Sequence, residues 1–221
     1  MKRILFTGDS ITDCGRNRGD YFSLGGGYAN LVASSLGLDC VGEYEFLNRG
    51  CSGDRIVDLY GRIKVDFTNL HPEYASIYVG VNDVWHDIVK QNGVSTAKFE
   101  MVYNLLLEEI YSVCPNIQLM VIAPFVLEGG ATQNTPEIPD KYERMKIGVS
   151  EKADVVRKIA QKFHLPCLEL QPVFEEALLK APAIYWTRDG VHPTEAGHEI
   201  IKRLWIQTFR NMIDPKNFKK D

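Results

Sequence analysis

Arg3-Ile4-Leu5-Phe6-Thr7-Gly8-Asp9-Ser10-Ile11-Thr12 decides the fold of this chain and points to its chemistry. Residues 3–7 are a short apolar run of strand length and composition. The chain then turns on a glycine and presents a serine where the strand ends. Further strand-like runs lie at 43–48, 75–79, 118–122 and 166–170. Helical patterns fall at 28–36, 56–69, 97–113, 142–164, 173–180 and 194–212. Phe99, Val102, Leu106, Ile110 and Val113 form one stripe at helical spacing. Thr194 and Glu195, directly after Pro193, make a helix start.

Strands rich in Val, Ile and Leu that alternate with helices predict a parallel sheet covered on both faces. Right-handed crossovers then give a three-layer αβα, doubly wound domain with a five-stranded parallel sheet. No linker, repeat or low-complexity tract divides the chain, so residues 1–221 form one domain. Ligands of such sheets gather at the carboxyl ends of the strands. The one long irregular stretch, 124–140, leaves the fourth strand at that end and is expected to be a wall or lid of the pocket.

Composition excludes several classes of partner. The 221 residues carry 29 acidic and 25 basic side chains, a net charge of −4, and basic residues concentrate only in Lys216-Asn217-Phe218-Lys219-Lys220. Nucleic acid and anionic membranes are therefore not expected partners. The apolar stretch near Met1 is too short for a signal-peptide core, and no run approaches the ~18 apolar residues of a membrane span. The five cysteines (Cys14, Cys40, Cys51, Cys114, Cys167) are odd in number and lack CxxC spacing. Reduced thiols in a cytoplasmic protein fit this pattern.

Candidate chemistry sits beyond four strand ends. Ser10 follows the first, Asn48-Arg49-Gly50 the second and Gly80-Val81-Asn82-Asp83 the third. Asp189-Gly190-Val191-His192-Pro193 comes after the fifth strand and its helix. A serine hydroxyl becomes nucleophilic when a base takes its proton, and a histidine does this best when a carboxylate fixes its tautomer. Asp189 precedes His192 by three residues, so one loop can present both. Ester cleavage also needs donors for the developing oxyanion. Ser10 N–H, Gly50 N–H and the Asn82 amide are the candidates.

Other residues read as structural. Asp83 is a rival carboxylate for His192 but is assigned a structural role. Asp9 holds the turn at Ser10, and Asn48 satisfies turn backbone. His71, His86 and His164 stand alone, and His198 reads as a helix-surface residue. With no acidic or Cys partner at ligand spacing around His192 and His198, no metal or other cofactor is expected. Gly25-Gly26-Gly27 lacks phosphate-loop spacing and reads as a flexible pocket edge. Trp85 and Trp186 flank the Asn82 and His192 loops and either stack on a sugar, pack in the core or make a subunit contact.

The four blocks, in this order and spacing, resemble the SGNH hydrolases, also called the GDSL esterase/lipase family. The resemblance covers residues 2–203 and implies a flavodoxin-like SGNH hydrolase fold. It carries the family's signature onto Ser10, Gly50, Asn82 and His192, with Asp189 as triad acid; Ile11 departs from the Leu in the family's short name. The strings Gly8-Asp9-Ser10-Ile11-Thr12-Asp13-Cys14-Gly15-Arg16 and Val81-Asn82-Asp83-Val84-Trp85 are closer still to intracellular esterases of acetylated xylo-oligosaccharides. That likeness implies a serine esterase removing a short acyl group, acetyl, from a small carbohydrate ester, and a possible homo-oligomer. The alternatives are a lysophospholipase or thioesterase acting on longer chains, or a non-catalytic carbohydrate-binding protein.

Overall fold

In the computed structural model, which describes residues 1–213, five strands form one all-parallel sheet in the order β2-β1-β3-β4-β5. They are β1 (Lys2–Gly8), β2 (Tyr44–Gly50), β3 (Tyr74–Tyr78), β4 (Gln118–Ala123) and β5 (Cys167–Glu169). The helices are α1 (Ser10–Asp13), α2 (Tyr28–Asp39), α3 (Ile56–Gly61), α4 (Ile63–Asp66), α5 (Val81–Lys90), α6 (Thr96–Val113), α7 (Lys141–Phe163), α8 (Leu170–Leu178), α9 (Ala183–Trp186) and α10 (Glu195–Ile213). The basic tail at 216–220 lies outside the described residues.

Alternation along β1 explains the three layers. Ile4 and Phe6 project to one face, where they join Tyr28 of α2 and Trp205 and Phe209 of α10. Leu5 projects to the other, with Leu59 of α3, Phe99 and Leu106 of α6 and Val156 of α7. All of these side chains are essentially fully buried. Burying each contributes about 1.5–3 kcal/mol, so the two cores together fix the sheet between its helix layers.

The strand order places the functional end. Sheets of order 2-1-3-4-5 reverse direction between β1 and β3, and ligands bind at that crevice. Gly8, the last residue of β1, pairs with Gly50 on β2 and Tyr78 on β3. The loops that follow these three strands therefore begin side by side.

The expected helix at 56–69 is broken. It divides into α3, α4 and a 3₁₀ turn at Thr68–Leu70. Arg62, at the break, is drawn to the sheet: it donates to Asp54 Oδ2 (2.7 Å), Arg49 O (2.7 Å) and Gly8 O (3.2 Å). These bonds brace the carboxyl ends of β1 and β2. Three further helices, α1, α5 and α9, occupy stretches to which no element was assigned from sequence.

Candidate active site

The turn at Ser10 is built by Asp9. Its carboxylate accepts from Ile11 N–H (3.0 Å) as the N-cap of α1, and its own N–H donates to Tyr78 O (3.3 Å). Burial pushes the Asp9 carboxyl up to about 7, while the Ile11 bond and nearby His192 pull the other way. Asn48 braces the turn from below, its amide donating to Thr12 O (2.6 Å) and Leu24 O (2.8 Å). Both residues play the roles expected of them.

Ser10 Oγ lies 2.9 Å from His192 Nε2, and His192 Nδ1 lies 2.7 Å from Asp189 Oδ2. The other Asp189 oxygen accepts the backbone N–H of His192 (2.8 Å) and of Val191 (3.0 Å). One carboxylate thus orients the ring and fixes the loop that carries it. Burial alone would raise the Asp189 pKa, but the bonds from the His192 ring and backbone outweigh it and hold the carboxyl at about 2. The Asp189 hydrogen bond raises the His192 pKa above its ordinary 6.5, against partial burial. An ionised Asp189 holds the proton on Nδ1 and leaves Nε2 free to accept from Ser10.

The start of the 124–140 segment braces the loop that carries Asp189 and His192. Phe125, Val126 and Leu127 are buried in the core, and Leu127 N–H donates to Gly190 O (2.8 Å) while Ala131 N–H donates to Asp189 O (2.9 Å). Gly190 has φ +98°, and a Cβ there would lie 2.5 Å from Leu127 O. Only glycine lets the acid loop sit this close to its support.

The donor set differs from the sequence expectation at one position. Gly50 is the last residue of β2, and its N–H donates to Asn48 Oδ1 (2.8 Å). That donor is used, so Gly50 does not offer it to a ligand. Gly53 is the residue the sequence reading missed. It occupies a tight turn closed by Asp54 N–H donating to Cys51 O (3.1 Å), with φ +89°. Its N–H has no hydrogen-bond partner among the described residues, and neither does Ser10 N–H. Asn82, the second residue of α5, donates one amide hydrogen to Asp54 O (3.1 Å), which sets its side chain against the Gly53 turn. The Ser-Gly-Asp sequence at 52–54 carried the signal, since a left-handed φ selects glycine.

One other expectation changes. His198 is buried, only 4% exposed; Nδ1 accepts from Tyr28 N–H (3.1 Å) and Nε2 lies 3.4 Å from Cys14 Sγ. It staples α10 to α2 and α1, and burial drives its pKa down to about 4. The Gly25–Gly27 turn is tied to the end of α1, where Gly26 N–H donates to Cys14 O (2.9 Å). Trp186 donates its indole N–H to Ala181 O (3.1 Å) and packs on the core, anchoring the base of the His192 loop. Trp85, by contrast, is half-buried with its ring 6.0 Å from the His192 ring. Among the described residues no three His, Cys, Asp or Glu side chains converge as metal donors, and no helix is long and apolar enough to cross a membrane.

A Ser-His-Asp relay with unpartnered backbone N–H groups nearby is the equipment of acyl transfer. The model of the GDSL-like lipase/acylhydrolase family matches residues 6–200. The chain belongs to this family. As a member it is a carboxylic-ester hydrolase. It is 32% identical to an acetylxylan esterase of Geobacillus stearothermophilus over 93% of each chain. A solved structure assigned as a GDSL-like lipase from Parabacteroides merdae matches with TM-score 0.87 and 31% identity, over 94% of both chains. A mutant of Axe2, an acetyl-xylooligosaccharide esterase from Geobacillus, matches with TM-score 0.79 and 29% identity, over 94% of this chain and 93% of that one.

Proposed function

We propose that this hydrolase removes acetyl groups from carbohydrate esters through a Ser10 acyl-enzyme. The observation that carries the reading is the unbroken chain Ser10 Oγ–His192 Nε2 (2.9 Å) and His192 Nδ1–Asp189 Oδ2 (2.7 Å). Ser10 Oγ attacks the ester carbonyl carbon as its proton passes to His192 Nε2. The oxyanion takes hydrogen bonds from Ser10 N–H, Gly53 N–H and the Asn82 amide. Collapse of the tetrahedral intermediate breaks the bond to the alcohol, which leaves with the His192 proton. Water then gives a proton to His192, attacks the acyl-enzyme, and releases the acid with Ser10 restored.

Two lines support a sugar as the alcohol. The acetylxylan esterase and acetyl-xylooligosaccharide esterase are relatives along nearly the whole chain. Trp85 also has its ring 6.0 Å from that of the histidine that protonates the leaving group, where an aromatic side chain can contact a pyranose.

The reading is tested with a series of p-nitrophenyl esters and with peracetylated xylose. Acetate esters are expected to turn over much faster than octanoates, with acetate released from the sugar. Each methylene that fits a pocket gains about 0.8 kcal/mol of binding, whereas one that meets a closed wall clashes. Rates climbing steadily toward octanoate would instead favour a lipase acting on long chains.

The pH profile follows from the relay. His192 accepts a proton only when neutral, and its pKa is raised by Asp189. kcat/KM is expected to climb with pH through a midpoint above 6.5 and then level, and Asp189→Asn should move that midpoint downward. A midpoint unchanged by Asp189→Asn would show that this carboxylate does not govern the base.

A further inference from the structure

Asp83 is a carboxylate, 1% exposed, that the reaction just described leaves unused. It does not orient His192, whose Nδ1 is taken by Asp189. Its Oδ1 and Oδ2 instead accept the backbone N–H of Ile56, at 3.1 and 3.3 Å.

Ile56 is the first residue of α3, and its N–H is one of the helix-start donors with no partner inside the helix. Arg55, just before the helix, has its own N–H held by Asp58 Oδ2 (2.9 Å). The acceptor for Ile56 N–H arrives from α5, 27 residues away. Asn82 and Asp83 are adjacent, and they grip opposite ends of one short segment: Asn82 at Asp54 O and Asp83 at Ile56 N–H. Gly53 is the residue directly before that segment. Burial pushes the Asp83 carboxyl up to about 7, while the Ile56 bond and the charge of Lys152, itself 4% exposed, pull the other way. On its other side, Asp83 O accepts Val94 N–H (2.9 Å), which closes the far end of α5 against its start.

We propose that Asp83 is a positioning residue for the oxyanion donors. Its bond to Ile56 N–H clamps the Gly53 turn against α5, so that Gly53 N–H and the Asn82 amide aim at one point. The inference rests on the serine-esterase reading above. It differs from a purely structural role because the loss falls on kcat and depends on Asn82.

The test measures kcat, KM and the fraction of sites titrated by a phosphonate ester, with an acetate ester as substrate. Asp83→Ala should lower kcat about 10-fold with KM and the titrated fraction unchanged, since it disorders donors that act on the transition state. Asp83→Asn keeps an acceptor and should stay within about 3-fold of the parent. In an Asn82→Ala background the Asp83→Ala loss should shrink to about 2-fold or less, the non-additivity of groups acting as a unit. Ile56→Pro removes the donor at a helix position that tolerates proline; Ile56→Ala loses the same packing and keeps the N–H. Proline should therefore be about 10-fold slower in kcat than alanine at position 56. If Asp83→Ala does not fold, this pair decides alone. Ser10→Ala in the same assay reports separately on the serine reading. Losses that simply multiply with Asn82→Ala, or equal kcat for Ile56→Pro and Ile56→Ala, would overturn the proposal.

Discussion

Ser10→Ala and His192→Ala should each lower kcat by on the order of 10⁴-fold or more, and the double variant should be no worse than either alone. The 2.9 Å contact between their side chains is the reason. A hydroxyl with no base is a poor nucleophile, and a base with no hydroxyl has nothing to activate. Asp189→Asn should cost less, because the imidazole survives without its preferred tautomer. Asp83→Asn should cost least of the four, since its carboxylate faces Ile56 N–H and not the ring. Single-turnover kinetics on an acetate ester measure this ordering. An Asp83→Asn loss larger than that of Asp189→Asn, with the fold intact, would return the triad acid to Asp83.

Much of this arrangement could be read in the chain because its signals are local. Asp189 and His192 share one loop, so a spacing of three residues sufficed. The five strands were visible as short apolar runs, with boundaries displaced by at most two residues. Failures came where a distant partner decided the outcome. Continuity of helix across 61–62 loses to the bonds that draw Arg62 onto the ends of β1 and β2. His198 looks like a surface residue until α2 delivers the Tyr28 N–H, 170 residues away in sequence. α5 was not expected, although Val81, Val84 and Ile88 have helical spacing.

The choice between Gly50 and Gly53 shows the limit most clearly. Both are glycines at the carboxyl end of β2, and both could bring backbone close to a ligand. What separates them is where one side chain points. Asn48 folds back on Gly50 N–H and uses it, while nothing among the described residues takes Gly53 N–H. A residue pattern records that a glycine is present; it does not record which of two N–H groups is already satisfied.

The second large effect is expected at Asn82. Asn82→Ala should reduce kcat by roughly 10²–10³-fold and leave KM close to the parent value. The amide has two hydrogens, and one is committed to Asp54 O at 3.1 Å. That bond fixes the direction of the other, so the donor is oriented before substrate arrives and pays no reorganisation in the reaction. A neutral carbonyl oxygen gains little from such a donor, whereas the tetrahedral oxyanion gains a great deal, because Asn82 is 4% exposed and water competes poorly there. The loss should therefore fall on the chemical step. Asn82→Asp is the sharper variant: it keeps the size of the side chain but presents an ionised acceptor to a developing negative charge, and it should be slower than alanine. Steady-state kinetics on acetate and butyrate esters separate the possibilities. A rise in KM equal to the whole loss, with kcat retained, would make Asn82 a ground-state contact and leave the oxyanion to the backbone donors of Ser10 and Gly53.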